Sequence, residues 1–276
     1  MSVLTGPDER VFDREVVKQH RNRAAGGLDS FGFVFAQLAE RLADRLSDIS
    51  RDFSLALNLG SHEGLMAKTL AGRGNIKTIV QSDFSEKMVS GAPGLRVVGD
   101  EEFQPFAAEC FDLILSSAIL HWVNDLPGAL LQARKALRPD GLLLANFFGG
   151  ITLNELRICL LEAEDEIKSG VSQRVSPFTD VRDAGALLQR TGYSLAVADS
   201  DCLTVSYESP LNLLRDLRGM GETNAVIGRQ KSFTSREILF RACNLYTEKF
   251  GDATGRIPAT FEVITLTGWA PVADHK

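Results

Sequence analysis

The sequence predicts an α/β protein built on a doubly wound, Rossmann-like, mostly parallel sheet covered by helices on both faces. Three observations predict it. Between residues 53 and 148, short apolar runs alternate with segments whose apolar residues recur at helical spacing, as parallel strands joined by crossover helices do. Residues 56–70, ALNLGSHEGLMAKTL, read as a strand, a turn with two glycines and an amphipathic helix. Acidic residues stand where the next two strands end, at Asp83 and at Asp100-Glu101. Sheets of this kind bind ligands at the carboxyl ends of their strands.

A chain of 276 residues buries a sizeable core and fits one large α/β domain with insertions. The formal net charge of −6 speaks against a general nucleic-acid binder, which needs a basic face to displace counterions. Cys110, Cys159, Cys202 and Cys243 lie far apart and form no C-x-x-C pair, so neither a zinc site nor a disulfide framework is expected, and a reducing compartment fits. No apolar run approaches the roughly 20 residues that span a bilayer. The start, MSVLTGPDER, carries acidic residues and lacks the basic beginning and apolar core of a secretory signal. The expectation is a cytoplasmic protein without a transmembrane segment.

Along the chain, residues 10–48 place Phe35, Leu38, Leu42 and Leu46 at helical spacing amid charge, which predicts helices before the sheet. The basic cluster His20-Arg21-Asn22-Arg23 reads as a solvated helix face. Strands are expected at 53–59, 76–80, 95–98, 111–115 and 142–148, with helices at 63–70, 84–89 and 126–137 between them. After Gly149-Gly150, Leu153, Leu156, Leu160 and Leu161 form an apolar helical stripe, and 180–189 continues as a helix that Gly192 ends. A strand follows at 193–205 and a helix at 209–217, with a turn at Gly219-Met220-Gly221. Thr234 and Glu237 match a capping box for a helix running towards Phe250, and 261–269 has strand composition. No repeat or linker divides the chain. Residues 1–50 are an N-terminal helical segment on the core, 51–150 the core itself, and 151–276 substrate-side helices and the last strands of the same domain.

The glycine turn is the first candidate site. Gly60 breaks the strand and Gly64 opens the helix, so backbone N–H groups of the Gly60-Ser61-His62 turn can face a ligand in the strand-end crevice. Asp83 lies 23 residues after Gly60 (83 − 60), close to the roughly 20-residue offset at which an acidic side chain meets a ribose hydroxyl. Its other reading is the N-cap of the helix beginning at Phe84. The run GDEEFQPF, 99–106, puts Asp100 and Glu101 after the third strand. Carboxylates there accept from an exocyclic amine and repel phosphate, which favours a nucleoside without pyrophosphate, with Asp100 as the amine acceptor.

The order strand–LGSHEG–helix, strand–DFS, strand–GDEEFQPF, then FDLILSSAILHWVNDLP and ALRPDGLLLANFFGG resembles class I S-adenosylmethionine-dependent methyltransferases. Within these it is similar to the branch holding the biotin-pathway malonyl-carrier-protein methyltransferases and the mitochondrial complex I assembly arginine hydroxylases. VFDREVVKQHRNRAA, FGGITLNELR, SPFT, LRGMGETN and PATFEV extend the resemblance to the second group over nearly the whole chain. The resemblance implies a seven-stranded sheet with an antiparallel final strand and S-adenosyl-L-methionine as cofactor. It implies that Gly60, Ser61, His62 and Gly64 approach the amino-acid part, Asp83 the ribose, and Asp100 and Glu101 the adenine end. Phe84, Ser116 and Trp122 complete the implied cofactor set, with Leu120-His121-Trp122 over the pocket. Asn58, Ser61 and His62 stand where the family's D-L-G-C-G-x-G loop has Asp, Cys and its middle Gly, and a side chain at 62 would crowd the methionine end unless the backbone there tolerates it.

Methyl transfer to a protein or carrier-protein substrate is the expected function, with His121, Asp125 and Glu222 as candidate bases. A guanidinium substrate would want carboxylates, which Asp125, Glu155 and Glu222 offer. Arginine hydroxylation of a respiratory complex I subunit, as the resemblance implies, is the alternative. A non-haem iron site would use two His and one carboxylate; His20, His62, His121 and His275 are the histidines, no H-x-D pair occurs, and no metal is assigned. A third reading is a methyltransferase-fold assembly chaperone without turnover.

Overall fold

The computed structural model describes residues 10–168, 170–232 and 234–272. Residues 1–9, most of the segment read for a targeting signal, and His275 lie outside the described residues. Helices α1 (Arg14–Ala24), α2 (Leu28–Phe31) and α3 (Phe33–Ser47) lead into β1 (Phe53–Leu59), α4 (Leu65–Thr69), β2 (Ile76–Asp83), α5 (Glu86–Ser90) and β3 (Leu95–Val98). Then come β4 (Phe111–Ser117), α6 (Leu126–Ala136), β5 (Leu137–Phe148), α7 (Asn154–Lys168) and α8 (Val181–Arg190). The chain closes with β6 (Ser194–Tyr207), α9 (Pro210–Met220), α10 (Arg236–Phe250) and β7 (Ile257–Trp269).

The seven strands lie in the order β3-β2-β1-β4-β5-β7-β6. β1 to β5 are parallel and β7 runs antiparallel to both of its neighbours. β1 therefore sits between β2 and β4, where the winding reverses, and the crevice at this switch point lies between the loops after β1 and β4.

Alternation along the strands explains how both faces are covered. Ala56, Leu113, Leu115, Leu142 and Leu144 meet Ala39, Leu42 and Leu46 of α3 and Met66 of α4 on one face. Their neighbours Leu57, Ile114 and Leu143 meet Leu130 and Ala133 of α6 and Leu188 of α8 on the other. A third apolar cluster joins α7, α9 and α10 to Phe148, Phe261 and Val263.

Several local expectations need correction. The capping residue of α10 is Ser235, whose hydroxyl accepts from Ile238 N at 3.3 Å, while Thr234 Oγ1 accepts from Arg174 instead. Asp83 is not the N-cap of α5; Ser85 is, accepting from Met88 N at 3.2 Å. Gly219 is helical, and only Gly221, with φ 84°, makes the left-handed end of α9. The basic cluster 20–23 is not simply a solvated face, because Arg21 is 3% exposed.

Gly219 is where α9 meets α2: a Cβ built there would stand 2.3 Å from Phe31 Cγ. Gly219→Ala should push that ring aside and lower stability by about 1–3 kcal/mol, read as a lower urea midpoint with unchanged slope.

Candidate functional site

The chain leaves β1 through Gly60, whose φ of 71° is open to glycine at little cost. Its N–H and that of Ser61 both donate to Ser82 O at 2.8 Å, so these donors are spent within the protein. A Cβ at Gly60 would meet Ile119 at 2.3 Å, and one at Gly64 would meet Pro93 at 2.3 Å. Both glycines thus admit protein neighbours. Asn58, the residue in place of the family's Asp, donates to Gln81 Oε1 at 2.8 Å across the β1–β2 pair.

His62 adopts φ 50°, a left-handed conformation that costs a non-glycine residue about 1–2 kcal/mol. What it gains is visible. Its N–H donates to Asp83 Oδ2 at 2.8 Å, and its ring stacks on Phe35 at 4.6 Å between centroids. Nε2 lies 3.3 Å from Ser117 O and Nδ1 lies 3.4 Å from an Arg21 guanidinium nitrogen. A proton on Nε2 satisfies both contacts, and burial together with Arg21 holds the imidazole neutral, well below its usual value.

Asp83 is fully buried and accepts from three directions. The N–H groups of His62 and Ser85 reach it at 2.8 Å each, and the Arg21 guanidinium pairs with Oδ2. Burial pushes this carboxyl up to about 6 against the pull of Arg21. Two turns earlier on α1, Arg14 lies 4.3 Å over the Phe84 ring and pairs with Asp100 at 2.6 Å and Glu101 at 2.5 Å. Lys18 lies 5.3 Å from the same ring, and Asn22 accepts from Ser85 Oγ at 2.6 Å. Residues 14, 18, 21 and 22 form one stripe of α1.

As these side chains stand, Arg14 and Arg21 hold the places expected for the adenine and ribose of S-adenosylmethionine. The space left beside Gly60, His62, Phe35 and Ser117 is about 10 Å³, room for one water molecule. The carboxylates expected to meet ribose and adenine already have partners, although Glu101 Oε1 and the buried Ser116 hydroxyl have none among the described residues.

A second space of about 130 Å³ lies beyond the loop after β4, among Trp122, Phe148, Leu156, Leu160, Phe178 and Phe261. Glu222 lines it. One Glu222 oxygen lies 2.9 Å from His121 Nε2 and accepts from Trp122 Nε1 at 3.0 Å, so the chain end of α9 and the loop after β4 converge there. Arg174 lines the cavity too, tied to Glu164 at 2.6 Å; burial opposes the charge on Glu164, but Arg174 and Ser172 hold its carboxyl at about 2. The structure thus brings His121, Trp122 and Glu222 together and leaves Asp125 apart, where it caps α6 by accepting from Gly128 N at 2.8 Å. Glu155 is spent on Thr260. Among the described residues no three His, Cys, Asp or Glu side chains converge to hold a metal ion.

Residues 57–145 match the family model described as a methyltransferase domain. Over 266 residues the chain is 40% identical to the mitochondrial arginine-hydroxylase NDUFAF5 of Mus musculus, spanning 94% of this chain and 77% of that protein. The chain belongs to the NDUFAF5 family. It is also 28% identical over 280 residues to the malonyl-[acyl-carrier protein] O-methyltransferase of Gallionella capsiferriformans, covering 96% of this chain and 93% of that one. Among solved structures, a methyltransferase of Bacillus halodurans superposes with a TM-score of 0.57 at 14% identity, covering 85% of this chain and 99% of the other. That likeness shows the fold, the seven-stranded class I S-adenosylmethionine-dependent methyltransferase fold. No helix among the described residues is long and apolar enough to cross a membrane.

Sequence reasoning located the acidic strand ends and missed Arg14 and Arg21, whose helical stripe with Lys18 and Asn22 was the available signal. It also missed His20, whose Nδ1 lies 2.8 Å from Thr223 Oγ1 and which burial and Arg23 hold at about 4. An unfolded chain protonates both His20 and His62 near about 6.5. The stability that depends on their staying neutral is therefore complete above that pH and is lost as pH falls below it, for His20 towards about 4. The raised Asp83 carboxyl acts in the opposite sense below about 6, so the test is a comparison: the change in urea midpoint from pH 7 to pH 5 should be less negative for His20→Gln than for the parent chain.

Proposed function

We propose that this S-adenosylmethionine-dependent methyltransferase acts on a protein substrate, modifying a basic side chain presented to the cavity beside Glu222. The observation that carries the reading is the chemistry of that cavity. Its walls are aromatic and aliphatic, and Glu222 is oriented into one end by His121 and Trp122. A long cationic side chain places its apolar stem on such walls and its charged head on the carboxylate. Aromatic rings add attraction for a cation held over their faces. His121 is a positioning group for Glu222 in this arrangement.

A second reading is arginine hydroxylation, which the similarity to the arginine-hydroxylase NDUFAF5 supports more strongly than the weaker similarity to the malonyl-carrier-protein enzymes supports carrier-protein methylation; a complex I subunit is the substrate the sequence resemblance implies. A guanidinium head suits the same cavity. The cytoplasmic location read from the composition accompanies both readings.

Glu222→Gln keeps the shape of the side chain and removes its charge. Modification of a co-expressed complex I subunit should fall by about ten- to a hundredfold, the worth of a charge-assisted hydrogen bond, with the far-UV spectrum unchanged. Mass spectrometry of the substrate separates the two reactions, since methylation adds CH2 and hydroxylation adds one oxygen. Unchanged modification in the variant would remove Glu222 from substrate recognition.

A further inference from the structure

We infer that α1 is an internal occupant of the cofactor groove, so that docking of this helix and binding of S-adenosylmethionine exclude each other. The inference rests on the reading that Asp83, Phe84 and Asp100-Glu101 form the adenosyl part of the site.

The face of α1 reproduces what adenosine would offer. An adenine ring would lie flat on Phe84 and donate its exocyclic amine to a carboxylate; the planar Arg14 guanidinium lies 4.3 Å over Phe84 and donates to Asp100 and Glu101. Ribose hydroxyls would donate to Asp83; the Arg21 guanidinium does so. The two arginines are seven residues apart, two helical turns, and that repeat carries them from one subsite to the next. While both arginines remain, the ring face and the carboxylates that an adenosyl group would use are taken, and the space at the methionine end beside the glycine turn is about 10 Å³.

The exchange is polar for polar. Of the helix Val17, Arg21 and Ala24 are buried, and its contacts to the groove itself are ion pairs, hydrogen bonds and the cations over Phe84. Asp83 and Glu101 are each 0% exposed, and a buried carboxylate without donors is costly. Either the helix or the ligand must therefore satisfy them. The same helix touches the acceptor side: Asp13 N donates to Ala225 O at 2.8 Å, Phe12 bridges Val226, and His20 contacts Thr223. Thr223 lines the cavity next to Glu222. Release of α1 by cofactor thus frees the wall that carries the acceptor carboxylate, and the two sites open together.

Isothermal titration of the full chain and of its Arg14→Gln/Arg21→Gln variant with S-adenosylhomocysteine tests this. The apparent affinity of a masked site is reduced by the fraction in the open state, so the variant should bind at least about tenfold more tightly. Because loss of two buried arginines can impair folding, amide hydrogen exchange of the unmodified chain supplies a second reading. Added S-adenosylhomocysteine should speed exchange in residues 14–24 while slowing it around Gly60 and Asp83. Equal or weaker binding by a folded variant, or slower exchange in α1 on ligand addition, would overturn the exclusion while leaving cofactor binding intact. No heat and no exchange change in either protein at millimolar ligand would overturn both the exclusion and the cofactor reading beneath it.

Discussion

The buried contact between Arg21 and Asp83 is the constraint on which the rest of the switch-point crevice depends. A carboxylate with no solvent exposure at the end of β2 requires donors from every side, and it draws them from three separate segments: the turn after β1, the start of α5 and the middle of α1. Each of these fixes something else. The His62 N–H bond sets the left-handed turn, the Ser85 N–H bond sets the entry to α5, and the guanidinium sets where the N-terminal helix lies. Removing one partner of a buried ion pair is far more damaging than replacing both by apolar groups, because it leaves an uncompensated charge. The local structure around the crevice is therefore cooperative, in the sense that its elements share one acceptor.

From the same turn an aromatic series runs to the second cavity. His62 stacks on Phe35, Phe35 lies 6.5 Å from Phe148, and Phe148 lies 4.8 Å from His121, which in turn contacts Glu222. Phe148 ends β5, so this series of rings is anchored on the sheet, while His62 and His121 follow the ends of β1 and β4. The spacing of groove and cavity is set by strands whose register is fixed by apolar alternation on both faces.

Most of the sheet was legible because its signals are local. Runs such as Leu142–Phe148 are apolar over a length that suits a buried strand; Asp83 ends β2 and Asp100 follows β3, where the pattern of apolar residues stops. The partner of Asp83 was not legible, because Arg21 is 62 residues away and sits in a basic run whose composition is that of a solvent face. A charge run is read as exposed on the ground that burying charge is costly; that ground fails when the opposite charge waits at the end of a strand. Glu222 was a candidate from the sequence, but its partners were not legible, for a related reason. It follows the left-handed end of α9 in a stretch without periodicity, and only the tertiary approach of α9 to the loop after β4 gives it His121 and Trp122 as partners. The cap of α10 shows the same limit at short range: Thr234 and Ser235 are both chemically able to cap, and the choice falls to Ser235 because Arg174, from across the fold, takes the Thr234 hydroxyl.

The departures from the family's glycine loop are best understood as one correlated set. Asp at position 58 would place a further carboxylate beside Gln81 in the closed crevice, whereas Asn58 pairs with that amide without charge. Gly at position 62 would leave the backbone unstrained but would remove the ring that fills the space between Phe35, Ser117 and Arg21. Together the substitutions supply neutral hydrogen bonding along β1 and β2 and a ring against α3. The side chains that would have to give way to an adenosyl group are the same ones that satisfy Asp83 and Glu101 in its absence. On the proposed assignment, the requirement that buried carboxylates be paired and the requirement that a cofactor be bound fall on the same atoms, so docking of the N-terminal helix and occupancy of the groove are one equilibrium.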